Sequence, residues 1–135
     1  MLLLVFEYVK AYILLMRDLV LFYAALADEN RLRLLNLIKH GEICVCYLQG
    51  VLQTNQPKIS RHLAYLRKAG LVDSRRDGKW THYRLKQLAA GKQKILSATL
   101  TGLEKQPVIK KDKLRVKLIT CCPSRYGVPA LKPAK

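Results

Sequence analysis

Four cysteines fall in two close pairs, Cys44/Cys46 and Cys121/Cys122. Cysteines adjacent or one residue apart make strained disulfides with each other. No signal-peptide layout precedes them, so they read as free thiols in a reducing cytoplasm, available as soft-metal ligands or redox groups. Cys44-Val45-Cys46 stands where a short helix is expected to begin, and a helix N-terminus favours thiolate over thiol. The blander role for the same two residues is that of small buried hydrophobes.

A second kind of chemistry is electrostatic. The chain carries 25 Lys+Arg against 9 Asp+Glu, a net charge of +16 over 135 residues. Such an excess points to a polyanionic partner, because neutralising phosphates releases counterions. Gln56, Lys58, Ser60, Arg61 and His62 are the candidate base or phosphate contacts, and Arg75, Arg76 and Lys79 the candidate backbone or minor-groove contacts. An enzyme is not expected. The sequence has no Gly-rich phosphate loop, no paired acid/base constellation and no nucleophile with an evident base.

The elements that must position these residues follow from periodicity. Leu15, Leu19, Phe22, Tyr23 and Leu26 make a helical stripe within an apolar run from Met1 to Leu26. Glu7, Lys10, Arg17 and Asp18 make that run too charged to span a membrane, so an amphipathic helix docked on a partner is expected. Asp28 reads as the N-cap of a helix from about Glu29 to His40, carrying Leu32, Leu35 and Ile38 inward and stopped by Gly41. A short helix follows over Val45 to Leu52, then Asn55 as N-cap of a helix over Gln56 to Ala69, with Pro57 tolerated in its first turn. In that helix Ile59, Leu63 and Leu66 form one side; Pro57, Ser60, Arg61, Ala64 and Lys68 form the other. Gly70 ends it. Leu71–Arg76 and Lys79–Leu85 read as strands joined by a turn at Asp77-Gly78. A last helix spans about Lys86 to Glu104. From Lys105 onward the chain is basic, with nine Lys/Arg and Asp112 as its single acid.

Two short helices joined by a turn and followed by a hairpin make a winged helix-turn-helix. The fold expected is mainly α with a small β-hairpin wing, in the order α-α-α-α-β-β-α. The domain reading is residues 1–15 as an N-terminal extension or misassigned start, 16–104 as the winged domain, and 105–135 as a basic tail bearing the vicinal cysteines.

Ala25-Leu-Ala-Asp-Glu-Asn-Arg-Leu-Arg-Leu-Leu35, Glu42-Ile-Cys-Val-Cys46, Gln56-Pro-Lys-Ile-Ser-Arg-His-Leu63 and Gly78-Lys-Trp-Thr-His-Tyr-Arg-Leu85 closely resemble the ArsR/SmtB family of metal-sensing repressors. The likeness runs from about Met16 to Leu85. It implies a homodimer through the first and last helices, and binding to double-stranded operator DNA that an inducer releases, with Met16 a possible true start. In the arsenic-sensing branch the Cys-x-Cys pair binds trivalent arsenic or antimony together with a third cysteine shortly after. Here Gln49 stands where that third cysteine is expected, and Tyr47 replaces the usual acid. The missing thiol is left to Cys121/Cys122. These either join Cys44/Cys46 across the dimer or act alone, where two thiolates suit a monomethylated arsenical. No prosthetic group is implied, only an inducer: arsenite, antimonite or methylarsenite. Zinc and cobalt sensors of the family use Asp and His on the last helix, and no His follows His82. Cadmium or lead at the thiols, a redox or persulfide sensor on the same scaffold, and a non-sensing architectural DNA-binding protein remain the alternatives.

Overall fold

The computed structural model describes residues 1–119; Cys121 and Cys122 lie outside the described residues. Six helices and three strands run in the order α1 (Leu2–Leu26), α2 (Glu29–Ile38), β1 (Ile43–Cys44), α3 (Val45–Leu52), α4 (Gln56–Lys68), β2 (Val72–Asp77), β3 (Trp80–Leu85), α5 (Ala90–Leu103) and α6 (Pro107–Val116). This is the expected winged helix-turn-helix with two additions, β1 and α6.

Capping chemistry sets the starts of α2 and α4. The Asp28 carboxylate accepts from the Arg31 amide at 3.0 Å, and the Asn55 side-chain carbonyl accepts from the Lys58 amide at 2.9 Å. Each satisfies an otherwise orphaned N–H of a first helical turn and is worth about 1 kcal/mol. Gly70, at φ +77°, closes α4: its own amide donates to Arg67 and the Leu71 amide reaches back to Leu66, both at 3.0 Å.

The core lies where α2, α3 and α4 meet. Leu34, Leu35, Ile38, Leu48, Val51, Ile59, Leu63 and Leu66 are buried there, with Phe22 and Ala25 of α1, Leu71 and Val72 of the wing, and Leu96 and Leu100 of α5. The inward side of α4 is the one the spacing predicts. On α2 the buried face includes Leu34 and Leu37, while Leu32 is only half-buried. That helix is covered on more than one side, by α4 and by α6.

The sheet has the order β1-β3-β2, all antiparallel. Two expectations change here. The Asp77↔Trp80 pairing makes Gly78-Lys79 the two-residue loop, not Asp77-Gly78. Gly78 at φ +60° takes the first loop position, where a turn matching the strand twist needs a positive φ. Ile43-Cys44 is strand rather than connection, pairing Ile43 with Tyr83 and Cys44 with His82. Two residues are too few to show any alternation, so only the neighbouring edge of β3 reveals them.

Residues 107–116, within the expected basic tail, form α6. Pro107 opens it, Ile109 and Asp112 are buried, and the helix packs on α2 and α3. The last of the expected helices, α5, is shorter than expected, beginning at Ala90 rather than near Lys86.

At the other end, α1 is one continuous helix of 25 residues, about 37 Å long. Leu2 to Val20 are exposed on every side, and Leu15, Leu19 and Tyr23 of the predicted stripe face solvent in the single chain; Phe22 and Ala25 are the residues it buries. No helix among the described residues is long and apolar enough to cross a membrane.

Candidate nucleic-acid interface and thiol pair

The outer face of α4 is open. Gln56, Lys58, Ser60 and Arg61 are all exposed, together with Pro57, Ala64 and Lys68. Buried Ile59, Leu63 and Leu66 seat the opposite face, so the polar side chains project from a fixed helix. His62 does not share that face. It is half-buried, and its Nδ1 lies 3.7 Å from Asp28 Oδ1, against the cap of α2. Burial pulls its pKa down, with Asp28 opposing, so the ring is biased toward the neutral form.

On the wing the three cations separate. Arg76 and Lys79 are exposed near the hairpin tip, Lys79 Nζ lying 5.2 Å from the centre of the Trp80 ring. Arg75 is engaged elsewhere: its guanidinium pairs with the Glu42 carboxylate and lies 3.8 Å from Asp77. The Arg75 hydrogen bond holds Glu42 below the usual carboxylate range. Glu42 is therefore a site residue that side-chain type alone did not expose. Its signal was its place in the Glu42-Ile-Cys-Val-Cys46 motif, directly ahead of β1.

The thiols are held by this same joint. Cys44 ends β1 and is the N-cap residue of α3; Cys46 lies in the first turn of α3. Their sulfurs stand 3.0 Å apart. Cys46 is disulfide-bonded, so the expectation of free thiols fails at this residue, and a soft ion would find both sulfurs as thiolates only after reduction. Cys44 is free and buried. Burial pushes its pKa up, against the pull of the Cys46 and Tyr47 amides. The helix N-terminus therefore does not make Cys44 a ready thiolate, contrary to the expectation from position; removal from water outweighs it. His82 is Cys44's cross-strand neighbour, buried, with Nδ1 4.0 Å from Glu42. Among the described residues no group of three or more His, Cys, Asp or Glu side chains is arranged to hold a metal ion. Cys44 and Cys46 come together, then, as one free thiol and one disulfide-bonded sulfur.

Residues 28–74 match the bacterial regulatory protein arsR family. The chain is 55% identical over 64 residues to the arsenical resistance operon repressor of Escherichia coli K12, a match covering 47% of this chain and 55% of that protein. It thus spans only about half the length of that relative. Against the arsenic resistance transcriptional regulator ArsR2 of Pseudomonas putida KT2440 it is 46% identical over 80 residues, 58% of this chain and 70% of that one. The chain belongs to the ArsR family. Among solved structures, HlyU from Vibrio cholerae N16961 superposes with a TM-score of 0.56 at 28% identity, covering 68% of this chain and 94% of its own. The ArsR-family match begins at the Asp28 cap and ends within β2, so it contains the whole helix-turn-helix and Cys44/Cys46.

Proposed function

We propose that this ArsR-family chain is a transcriptional repressor that binds operator DNA as a homodimer, paired through α1 and α5, and releases it when a trivalent arsenical engages its cysteines. The observation that carries the DNA half is the open polar face of α4, seated on a buried apolar face and flanked by the exposed wing cations Arg76 and Lys79. The net charge of +16 supports a phosphate-bearing partner. Gln56, Lys58, Ser60 and Arg61 are the proposed major-groove contacts, with the wing on the adjoining backbone. The relatives' names, arsenical and arsenic resistance regulators, support the inducer class.

The release mechanism belongs to the joint between the two sites. Cys44 lies on β1, which is hydrogen-bonded to wing strand β3, and Cys46 lies on α3, the first helix of the helix-turn-helix. Any rearrangement that draws these two sulfurs toward a common ligand moves the wing and α3 together, and α4 packs on α3. Release requires the ligand to favour the DNA-incompetent arrangement; tight binding to both would change nothing. Cys121 and Cys122 complete the proposed ligand set. A cytoplasmic location goes with the reading of the chain as a DNA-binding regulator.

The test is a fluorescence-anisotropy titration of operator-bound protein with arsenite, antimonite, methylarsenite, cadmium and zinc. Arsenite is expected to release wild-type protein and to leave Cys44→Ser/Cys46→Ser bound. Release of that double variant by arsenite at the wild-type concentration would remove the helix pair from the sensor.

A further inference from the structure

One side of α6 is fastened to the domain, and its exposed side carries a row of cations. Asp112 is fully buried and accepts two hydrogen bonds from the Arg33 guanidinium of α2, Nε to Oδ2 at 2.8 Å and Nη2 to Oδ1 at 2.7 Å. Ile109 is buried with it, and Arg115 donates from Nη1 to the Val51 carbonyl of α3 at 3.2 Å. Lys110, Lys113 and Lys117 are all exposed. Their spacing, i, i+3 and i+7, lines them up over two turns of helix, about 10 Å. No ion pair among the described residues uses any of the three. The acids close by are engaged elsewhere. Asp112 is held by Arg33, and Glu104 accepts from Lys39 at 3.0 Å. That bond holds Glu104 below the ordinary carboxylate range, with a smaller pull from Lys113.

The place of α6 says what the row faces. Val51 is in the last turn of α3, beside the turn that starts α4, so Arg115 ties the end of α6 to the helix-turn-helix itself. In such a unit the first helix crosses the DNA backbone while the second reads base edges. A helix docked on α3 is thereby carried toward the backbone next to the groove that α4 enters. We propose that Lys110, Lys113 and Lys117 form an additional phosphate-contacting surface, which extends each protomer's hold on operator DNA to the flanking backbone. This rests on the operator-binding reading above and adds a part to that interface. Lysine binds phosphate as a point charge, so the row contributes affinity without base preference. Because buried contacts already fix α6, only side-chain freedom is lost when the row meets DNA.

The test uses the full chain and a duplex that the wild-type protein selects from a randomised pool. Affinity is measured over a salt series for wild type, for Lys110→Ala/Lys113→Ala/Lys117→Ala and for the matching triple Lys→Arg variant, with hydroxyl-radical footprints of each complex. The alanine variant is expected to lose about 2–3 from the log–log salt slope and about tenfold or more in affinity near 0.15 M salt. Its footprint should lose protections flanking the half-sites and keep those within them, and the arginine variant should restore both. An unchanged slope overturns the proposal. So does a reduced slope with an unchanged footprint, which would be a long-range effect of net charge. Failure of arginine to restore the slope also overturns it, since the loss would then come from a disturbed helix. A pool that yields no enriched sequence sinks the operator reading itself, whereas enrichment with an unaltered slope in the alanine variant sinks only the α6 surface.

Discussion

Cys44 shows how burial can override position. Its place at the start of α3 favours a thiolate, yet its removal from water raises its pKa. In the Cys46→Ser/Cys121→Ser/Cys122→Ser protein, iodoacetamide should alkylate Cys44 slowly. The rate should still be climbing with pH above ~8.5, where an exposed thiol levels off; an inflection below that value would contradict the burial argument. The folded chain holds this proton more tightly than the unfolded chain, so Cys44's contribution to stability is intact below the ordinary thiol range and falls as pH rises through it. Glu42 runs the opposite way. Its carboxyl is held low by Arg75, so its contribution is present above the ordinary carboxylate range and is lost on acidification. The same ion pair bears on DNA. Arg75 is occupied by Glu42, whereas Arg76 points from the wing without an acid beside it in the β2–β3 register, where its partner is Thr81. Arg76→Ala is therefore expected to weaken operator binding and reduce the log–log salt slope by about 1, and Arg75→Ala to do so less. Filter binding at several salt concentrations checks this; equal losses would mean that the Glu42 pair opens on DNA.

At the scale of elements, α6 repays attention because composition alone disguises it. A segment with nine Lys/Arg and one acid, from Lys105 onward, reads as a solvated tail. Its single acid is the residue that docks it. Asp112 is fully buried against Arg33, and Arg33 is in turn held more firmly protonated by that hydrogen bond. Replacing Asp112 by Ala leaves a guanidinium with little access to water and without its hydrogen-bonded carboxylate, a change that costs about 3–5 kcal/mol. Urea denaturation followed by circular dichroism should show that loss, and a change under 1 kcal/mol would mean α6 is not held by this pair. The solitary acid was legible as an oddity in the sequence; its partner, 79 residues away on α2, was not. The caps at Asp28 and Asn55, the ends of α3 and the inward face of α4 were readable because each depends on neighbours within four residues. β1 was not readable, because a two-residue strand exists only by virtue of the edge it pairs with.

For the whole molecule, α1 is the feature least consistent with an isolated chain. Its first nineteen or so residues expose Leu, Val, Ile, Phe and Tyr side chains on all sides, while the packed core begins only at Phe22. Large apolar surfaces of this kind mark contact surfaces. A chain beginning at Met16 is expected to keep the thermal-unfolding midpoint and the operator affinity of the full chain, because residues 2–15 bury nothing in the protomer. Loss of folding or of DNA binding on that truncation would show that the extension serves the core domain.

What the sequence determined unaided was local or additive: net charge, caps, the two faces of α4, the hairpin and its cations, and the family motifs that join them. These rest on residues a few positions apart, or on sums over the chain, and so survive without knowledge of the fold. The tertiary structure decided which of those residues are free to act. It turned His62 inward to Asp28, tied Arg75 to Glu42, buried Cys44 beside the wing and brought Ile119 onto the face of α3 that carries Cys46. Each of these is a contact between distant segments whose energy comes from desolvation or ion pairing, and no spacing along the chain encodes it.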